Sequence, residues 1–252
     1  MSERTEDRLL GGRVRLLQPR VGLRAGLDAV MLAARVPARP GEQVLELGCG
    51  SGAATLCLLA RVRGLRAVAL ERDLALAALA AENAGLNGWG EAVAVRVADL
   101  TRPEALDGLP RCDHGLANPP YWNTGTTPPA AIRAAATHAE AEVPLLAWTA
   151  ALARKLRRGG TATLVLPAAR HGEGWAALRE AGFGAVSTLP LWPRAGMAAK
   201  RVLLDGRLGA RGPDRLLPGL VLHAGQGWTA AATAILRDGA SLGDAGLDGA
   251  AS

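Results

Sequence analysis

Residues 44–62 constrain this chain more than any other stretch. Val44-Leu45-Glu46-Leu47 is a short apolar run, Gly48-Cys49-Gly50-Ser51-Gly52 is a glycine loop, and Ala53 to Val62 has the apolar spacing of a helix. Strand, glycine turn and helix in that order open a parallel α/β sheet. Glycines let a ligand approach the backbone closely, and the helix N-terminus faces the loop. The spacing is Gly-x-Gly-x-Gly, so a dinucleotide fingerprint is imperfect. Glu46 would also repel a pyrophosphate. An acid there suits a cationic or amine-bearing ligand better.

The strands that follow each end in an acid. Ala67 to Glu71 is a second strand, and Glu71 lies 71 − 52 = 19 residues beyond Gly52. An acid in that place can accept hydrogen bonds from both ribose hydroxyls. Ala92 to Val97 is a third strand followed by Asp99, where an adenine amine could be bound. Asp73 is placed to cap a helix over 74–86. A helix cap or a solvated loop would explain any one of these acids; successive strand ends favour a nucleoside site.

A fourth strand, Asp113 to Ala117, runs into Asn118-Pro119-Pro120-Tyr121. In an open α/β sheet, ligands bind at the strands' C-terminal edge. Asn118 offers a side-chain oxygen and Pro119 a carbonyl, held extended by the following proline. Tyr121 offers a ring to stack on a flat substrate. Together they form a clamp for a planar amino group: accepting from both N–H groups makes its nitrogen a better nucleophile. Taken alone, an Asn-Pro turn explains the tetrapeptide equally well.

The remaining pattern predicts helices over 27–36, 143–156 and 174–181, closing strands over 161–166, 185–191 and 201–205, and a late strand over 219–223. Thr229 would cap a last helix reaching about Arg237. Residues 1–8 read as disordered, 9–237 as one domain and 238–252 as a flexible tail. Within the domain, 9–40 would form a hairpin around Gly11-Gly12 and a helix covering the cofactor site. The polar segment 123–141, with Arg133 and His138, has the length of a lid.

Net charge is +6 and the pI about 10.2, which suits a polyanion such as RNA or DNA. Arg13, Arg15, Arg20 and Arg24 cluster before the glycine loop. Only Lys155 and Lys200 are lysines, so arginine-rich composition without such a partner explains the charge as well. Cys49, Cys57 and Cys112 lack metal-ligand spacing, and no metal is expected. No apolar run is long enough to span a membrane. The expectation is a reduced, cytoplasmic protein; nothing in the sequence sets its oligomeric state.

Assembled, these residues resemble the class I S-adenosylmethionine-dependent amino-methyltransferases, through the Glu46–Gly52 loop, Glu71, Asp99 and the Asn118–Tyr121 motif. Leu10-Gly11-Gly12-Arg13, Gln18-Pro19, Arg24 to Asp28 and Leu222-His223 with Gly227 are similar to the bacterial tRNA(Val) adenine-N6 methyltransferase family. Trp122 and Trp228 depart from that pattern while keeping an aromatic ring. The resemblance implies a Rossmann-like fold: a mostly parallel seven-stranded sheet with helices on both faces. It implies S-adenosyl-L-methionine as cofactor, held by Gly48, Gly50 and Gly52, by Glu46 at the methionine amine through water or backbone, by Glu71 at the ribose and by Asp99 at the adenine. Asn118 and Pro119 would hold the substrate amine and Tyr121 would stack on its base. Asp28 matches a position covering the methionine end, although a first-turn helix acid explains it equally. His223 reads as structural. The implied substrate is RNA, namely tRNA. Protein glutamine N5, guanine N2 of rRNA, and a non-enzymatic RNA-binding domain of the same fold are the competing readings.

Overall fold

The computed structural model describes residues 3–21, 24–120 and 143–243. Strands β1 (Arg4–Leu9) and β2 (Val14–Pro19) form an antiparallel hairpin. Helix α1 (Leu27–Arg35) follows. Then come β3 (Gln43–Leu47), α2 (Ala53–Arg61), β4 (Arg66–Glu71), α3 (Leu74–Leu86), β5 (Val93–Val97) and β6 (Cys112–Ala117). After the undescribed stretch lie α4 (Leu145–Lys155), β7 (Leu156–Pro167), α5 (His171–Glu180), β8 (Phe183–Trp192) and β9 (Arg201–Leu208). The described chain closes with the two-residue strands β10 (Arg215–Leu216), β11 (Leu220–Val221), β12 (His223–Ala224) and β13 (Gly227–Trp228), and with α6 (Ala230–Leu236).

Seven long strands make the body of the main sheet, in the order β8-β9-β7-β6-β3-β4-β5, with β10 and β11 added beyond β8. β3, β4, β5, β6 and β7 are mutually parallel, and β9 runs against both β7 and β8. This is the expected Rossmann-like sheet. Alternate strand residues face opposite sides. Val44, Leu116, Val165 and Leu203 enter one core with α1, α2 and α6. Leu45, Ala117, Leu164 and Leu204 enter the other with α4 and α5. Both faces are thereby covered, which is why the central strands read as continuous apolar runs.

The hairpin is docked by two amides on α3. Asn83 accepts from the Leu17 N–H (2.8 Å) and donates to the Leu17 carbonyl (2.9 Å). Asn87, one turn on, does the same with Arg15 at 2.9 and 2.7 Å. Two side chains at i and i+4 therefore imitate the edge of a neighbouring strand. Asn83 is fully buried and also donates to the Ser51 carbonyl at 3.0 Å, tying the hairpin to the glycine loop.

Three sequence expectations need correction. Of the residues 1–8 expected to be disordered, Arg4 to Arg8 belong to β1, while 1–2 lie outside the described residues. This segment pairs through charge rather than apolar alternation: Glu6 with Arg15, Glu3 with Arg20 and Asp7 with Arg24. Opposite charges across strands stabilise a pair, and a charged hexapeptide carries no period-2 hydrophobic signal. The tail expected from 238 is packed as far as Leu242, which is fully buried and donates to the Ala34 carbonyl at 3.0 Å; residues 244–252 lie outside the described residues. Arg157 to Gly160, read as a helix end, belongs to β7, where the register shifts against β6 between Cys112 and His114.

Candidate active site

Parallel register brings the strand ends to one edge. Leu47 pairs with Leu70 on one side and with Ala117 on the other, and Glu71 pairs with Val97. The segments that follow, the glycine loop, Asp99 and Asn118, therefore share that edge with Glu71.

The loop is held by hydrogen bonds to its own acids. Gly48, Gly50 and Gly52 all have positive φ, at 65°, 55° and 86°. A Cβ on Gly48 would lie 2.7 Å from the Trp148 ring of α4, whereas one on Gly50 would meet open space. Only a glycine allows the first approach, and the second leaves room for a ligand. The Gly50 N–H donates to Oε2 of Glu71 at 2.8 Å. Oε1 of Glu71 accepts from the N–H groups of Arg72 (2.9 Å) and Asp73 (3.0 Å). A carboxylate with two oxygens has about four acceptor sites, so these bonds leave capacity for a hydroxyl.

Glu46 does something the sequence did not suggest. It is buried, faces the α2 side as Val44 does, and accepts from the Thr55 N–H at 2.9 Å and from the Thr55 hydroxyl. It therefore caps the first turn of α2. Burial pushes its carboxyl up to about 7, against the two Thr55 hydrogen bonds. Asp99 is partly exposed and bonds the Thr101 N–H (2.9 Å) and hydroxyl (2.8 Å); these bonds hold its carboxyl below the usual range. Asp28 lies in the first turn of α1 and accepts from Nε of Arg201, at the head of β9, at 2.9 Å.

Asn118 follows the last residue of β6, and its Oδ1 is buried with no hydrogen-bond partner among the described residues. Buried acceptors are nearly always satisfied, and an exception marks a place for a missing donor. Pro119 is buried beside it. Tyr121 lies outside the described residues, as do Trp122, Arg133, His138 and the rest of 123–141. The edge thus carries an orphaned acceptor, an open glycine approach and two strand-end acids. This set fits a nucleoside cofactor with a cationic centre.

Two residues were not legible in the sequence: Trp148, which shapes the loop from 100 positions away, and Arg201, which engages Asp28 across 173 positions. No local signal links either pair. The expected arginine cluster is also altered. Arg15, Arg20 and Arg24 are bound by acids of the N-terminal segment, and Arg13 donates to the carbonyls of Leu10 (3.2 Å) and Arg237 (3.4 Å). Cys57 and Cys112 are pushed up by burial, to about 12 and about 11, which leaves neither thiol reactive. Among the described residues there is no His/Cys/Asp/Glu cluster that could hold a metal, and no helix is long and apolar enough to cross a membrane.

A doubly wound sheet with this loop and these acids at its C-terminal edge defines a class I S-adenosylmethionine-dependent methyltransferase. The methyltransferase small domain model matches residues 25–144. A predicted O-methyltransferase from Agrobacterium tumefaciens superposes with a TM-score of 0.72 at 24% identity, covering 85% of this chain and 97% of that one. A T. thermophilus 16S rRNA N2 G1207 methyltransferase, solved with AdoMet and guanosine, superposes at 0.56 and 25% identity, over 82% of this chain and 50% of that one. The tRNA1(Val) (adenine(37)-N6)-methyltransferase of Aeromonas hydrophila is 32% identical over 210 residues, 82% of this chain and 86% of the relative. The chain belongs to the tRNA1(Val) (adenine(37)-N6)-methyltransferase family.

Proposed function

We propose that this protein methylates the N6 amine of an adenine in a tRNA. The observation that carries the reading is the buried Oδ1 of Asn118, unpartnered among the described residues, at the strand edge that also carries the glycine loop. An adenine amine is a donor whose lone pair is delocalised into the ring. Asn118 Oδ1 and the Pro119 carbonyl accept its two N–H groups and localise the lone pair on nitrogen as it attacks. When bound, the cofactor supplies an electrophilic methyl on a sulfonium. Glu71 holds the ribose hydroxyls, Asp99 the adenine amine, and Gly48 and Gly50 give the backbone approach. Glu46 acts indirectly, by fixing the start of α2 under the loop. Tyr121 stacks on the target base, a role that rests on its place in the motif. Positioning and charge stabilisation do the catalytic work, with no covalent enzyme intermediate.

Removing a base from its stack is cheaper in a loop than in a duplex, which favours a loop adenine. The relative named for position 37 of tRNA1(Val) supports that substrate class. The test is nucleoside mass spectrometry of unmodified tRNA transcripts incubated with the protein and cofactor. N6-methyladenosine at one loop position is the expected product. N2-methylguanosine, methyl transfer to a release-factor glutamine alone, or no transfer would overturn the reading.

A further inference from the structure

A second feature lies on the same edge of the sheet. β8 runs parallel to β7, because each is antiparallel to β9, so Trp192 ends β8 at the edge where β7 ends. β11 pairs with Leu191 and Trp192 there. The Leu222 and His223 N–H groups donate to the carbonyls of Trp192 (2.8 Å) and Pro193 (3.1 Å), which fastens the β12–β13 hairpin to this end. On that hairpin His223 and Trp228 are stacked, with ring centroids 4.2 Å apart and planes inclined by 24°. Trp228 nevertheless remains 40% exposed. The Arg194 guanidinium donates to the Gly225 carbonyl and so holds the hairpin turn.

The surrounding sequence is free of acids. No Asp or Glu occurs from 181 to 204 or from 215 to 237, while Arg194, Lys200, Arg201, Arg215 and Arg237 do. A large indole backed by a second ring, on segments that carry basic residues and no acids of their own, is a poor choice for a solvent-facing hairpin. It is well suited to a nucleic acid, whose bases stack on aromatic faces while phosphates meet cations.

We propose that Trp228, braced by His223, is a stacking platform for a second nucleotide of the substrate RNA, one that is not methylated. The proposal deepens the tRNA reading above and rests on it. β11 stands four strands from β6, about 20 Å at the usual strand spacing. A helical strand advances about 3.4 Å per nucleotide, so a folded RNA with its target base at Asn118 reaches the hairpin within about six nucleotides. Arg194 both fixes the turn and places charge beside the platform. His223 serves as a ring and not as a base.

The experiment is direct binding of full-length protein to an unmodified tRNA transcript and to a blunt RNA duplex, for wild type, Trp228→Ala, Trp228→Leu and Trp228→Tyr. Cofactor affinity is measured in parallel as a check on folding. Loss of one base stack is expected to weaken tRNA binding about tenfold in the Ala and Leu variants. The Tyr variant should stay near wild type, and duplex binding and cofactor affinity should not change. Unchanged tRNA affinity in Trp228→Ala, or an equal loss for tRNA and duplex, would overturn the platform. If wild type binds tRNA through Trp228 yet transfers no methyl to it, the platform stands and the substrate reading fails.

Discussion

The Gly50 N–H donates to Oε2 of Glu71 at 2.8 Å, so the acid that ends β4 holds the glycine loop that follows β3. One carboxylate then does two things: it sets the backbone that a cofactor approaches, and it keeps acceptor capacity for the ribose. Glu71→Ala should weaken S-adenosylmethionine binding by about tenfold or more, the loss of hydrogen bonds to a charged acceptor. Calorimetric titration checks it. Equal affinity in the folded variant would remove Glu71 from the site.

Asn118→Ala should cost on the order of 10²–10³ in methyl-transfer rate, because the lost acceptor acts as the amine rehybridises. Among the described residues Oδ1 accepts from no donor, so losing that oxygen breaks no hydrogen bond there and the melting temperature should hardly move. Single-turnover transfer of labelled methyl, with a thermal melt, separates the two effects. Near-normal turnover would reduce the motif to a turn.

Glu46 makes stability depend on pH. Burial holds its carboxyl at about 7 in the folded protein, against an ordinary glutamate value of 4.5. Between those values the native state holds the proton more tightly than the unfolded chain. Stability therefore falls as pH rises from about 4.5 to about 7, and the cost is complete above that. Glu46→Gln keeps an acceptor for Thr55 and removes the charge. It should be more stable than wild type at pH 8, by up to roughly 3 kcal/mol, and equal to it at pH 4. Urea denaturation at both pH values measures the difference, and a parallel pH dependence in the two proteins would refute the assignment.

Two crossed ion pairs fasten α1 to β9: Asp28 with Arg201, and Arg35 with Asp205 at 2.6 Å. The Arg35 side chain is only 6% exposed. Losing its carboxylate leaves a buried cation with a weaker environment, so Asp205→Ala should cost about 3 kcal/mol. Asp28→Ala, at a more exposed pair, should cost about 1 kcal/mol. If Asp28 instead contacts the cofactor, Asp28→Ala will lower cofactor affinity at constant stability. Chemical denaturation alongside cofactor titration distinguishes these outcomes.

The sequence by itself determined the order of strands and helices, the glycine loop and the acids at successive strand ends. Those signals are local: apolar runs, turn residues and caps lie within a few positions of one another. The strand at 4–9 escaped because its own residues are mostly charged and pair with arginines on and after β2, and the β7 extension because Arg157-Arg158-Gly159-Gly160 looks like a helix stop. Only the tertiary structure decided what the acids touch. Glu46 turned to Thr55 because alternation along β3 points it at α2. Asp28 met Arg201 because the antiparallel β9 brings its first residue back to the edge where α1 begins. Trp148 reached Gly48, and Trp228 reached the shared edge, through strand pairings that join residues far apart in the chain. No local pattern encodes such contacts, since they depend on register and on which face each element turns to its neighbour.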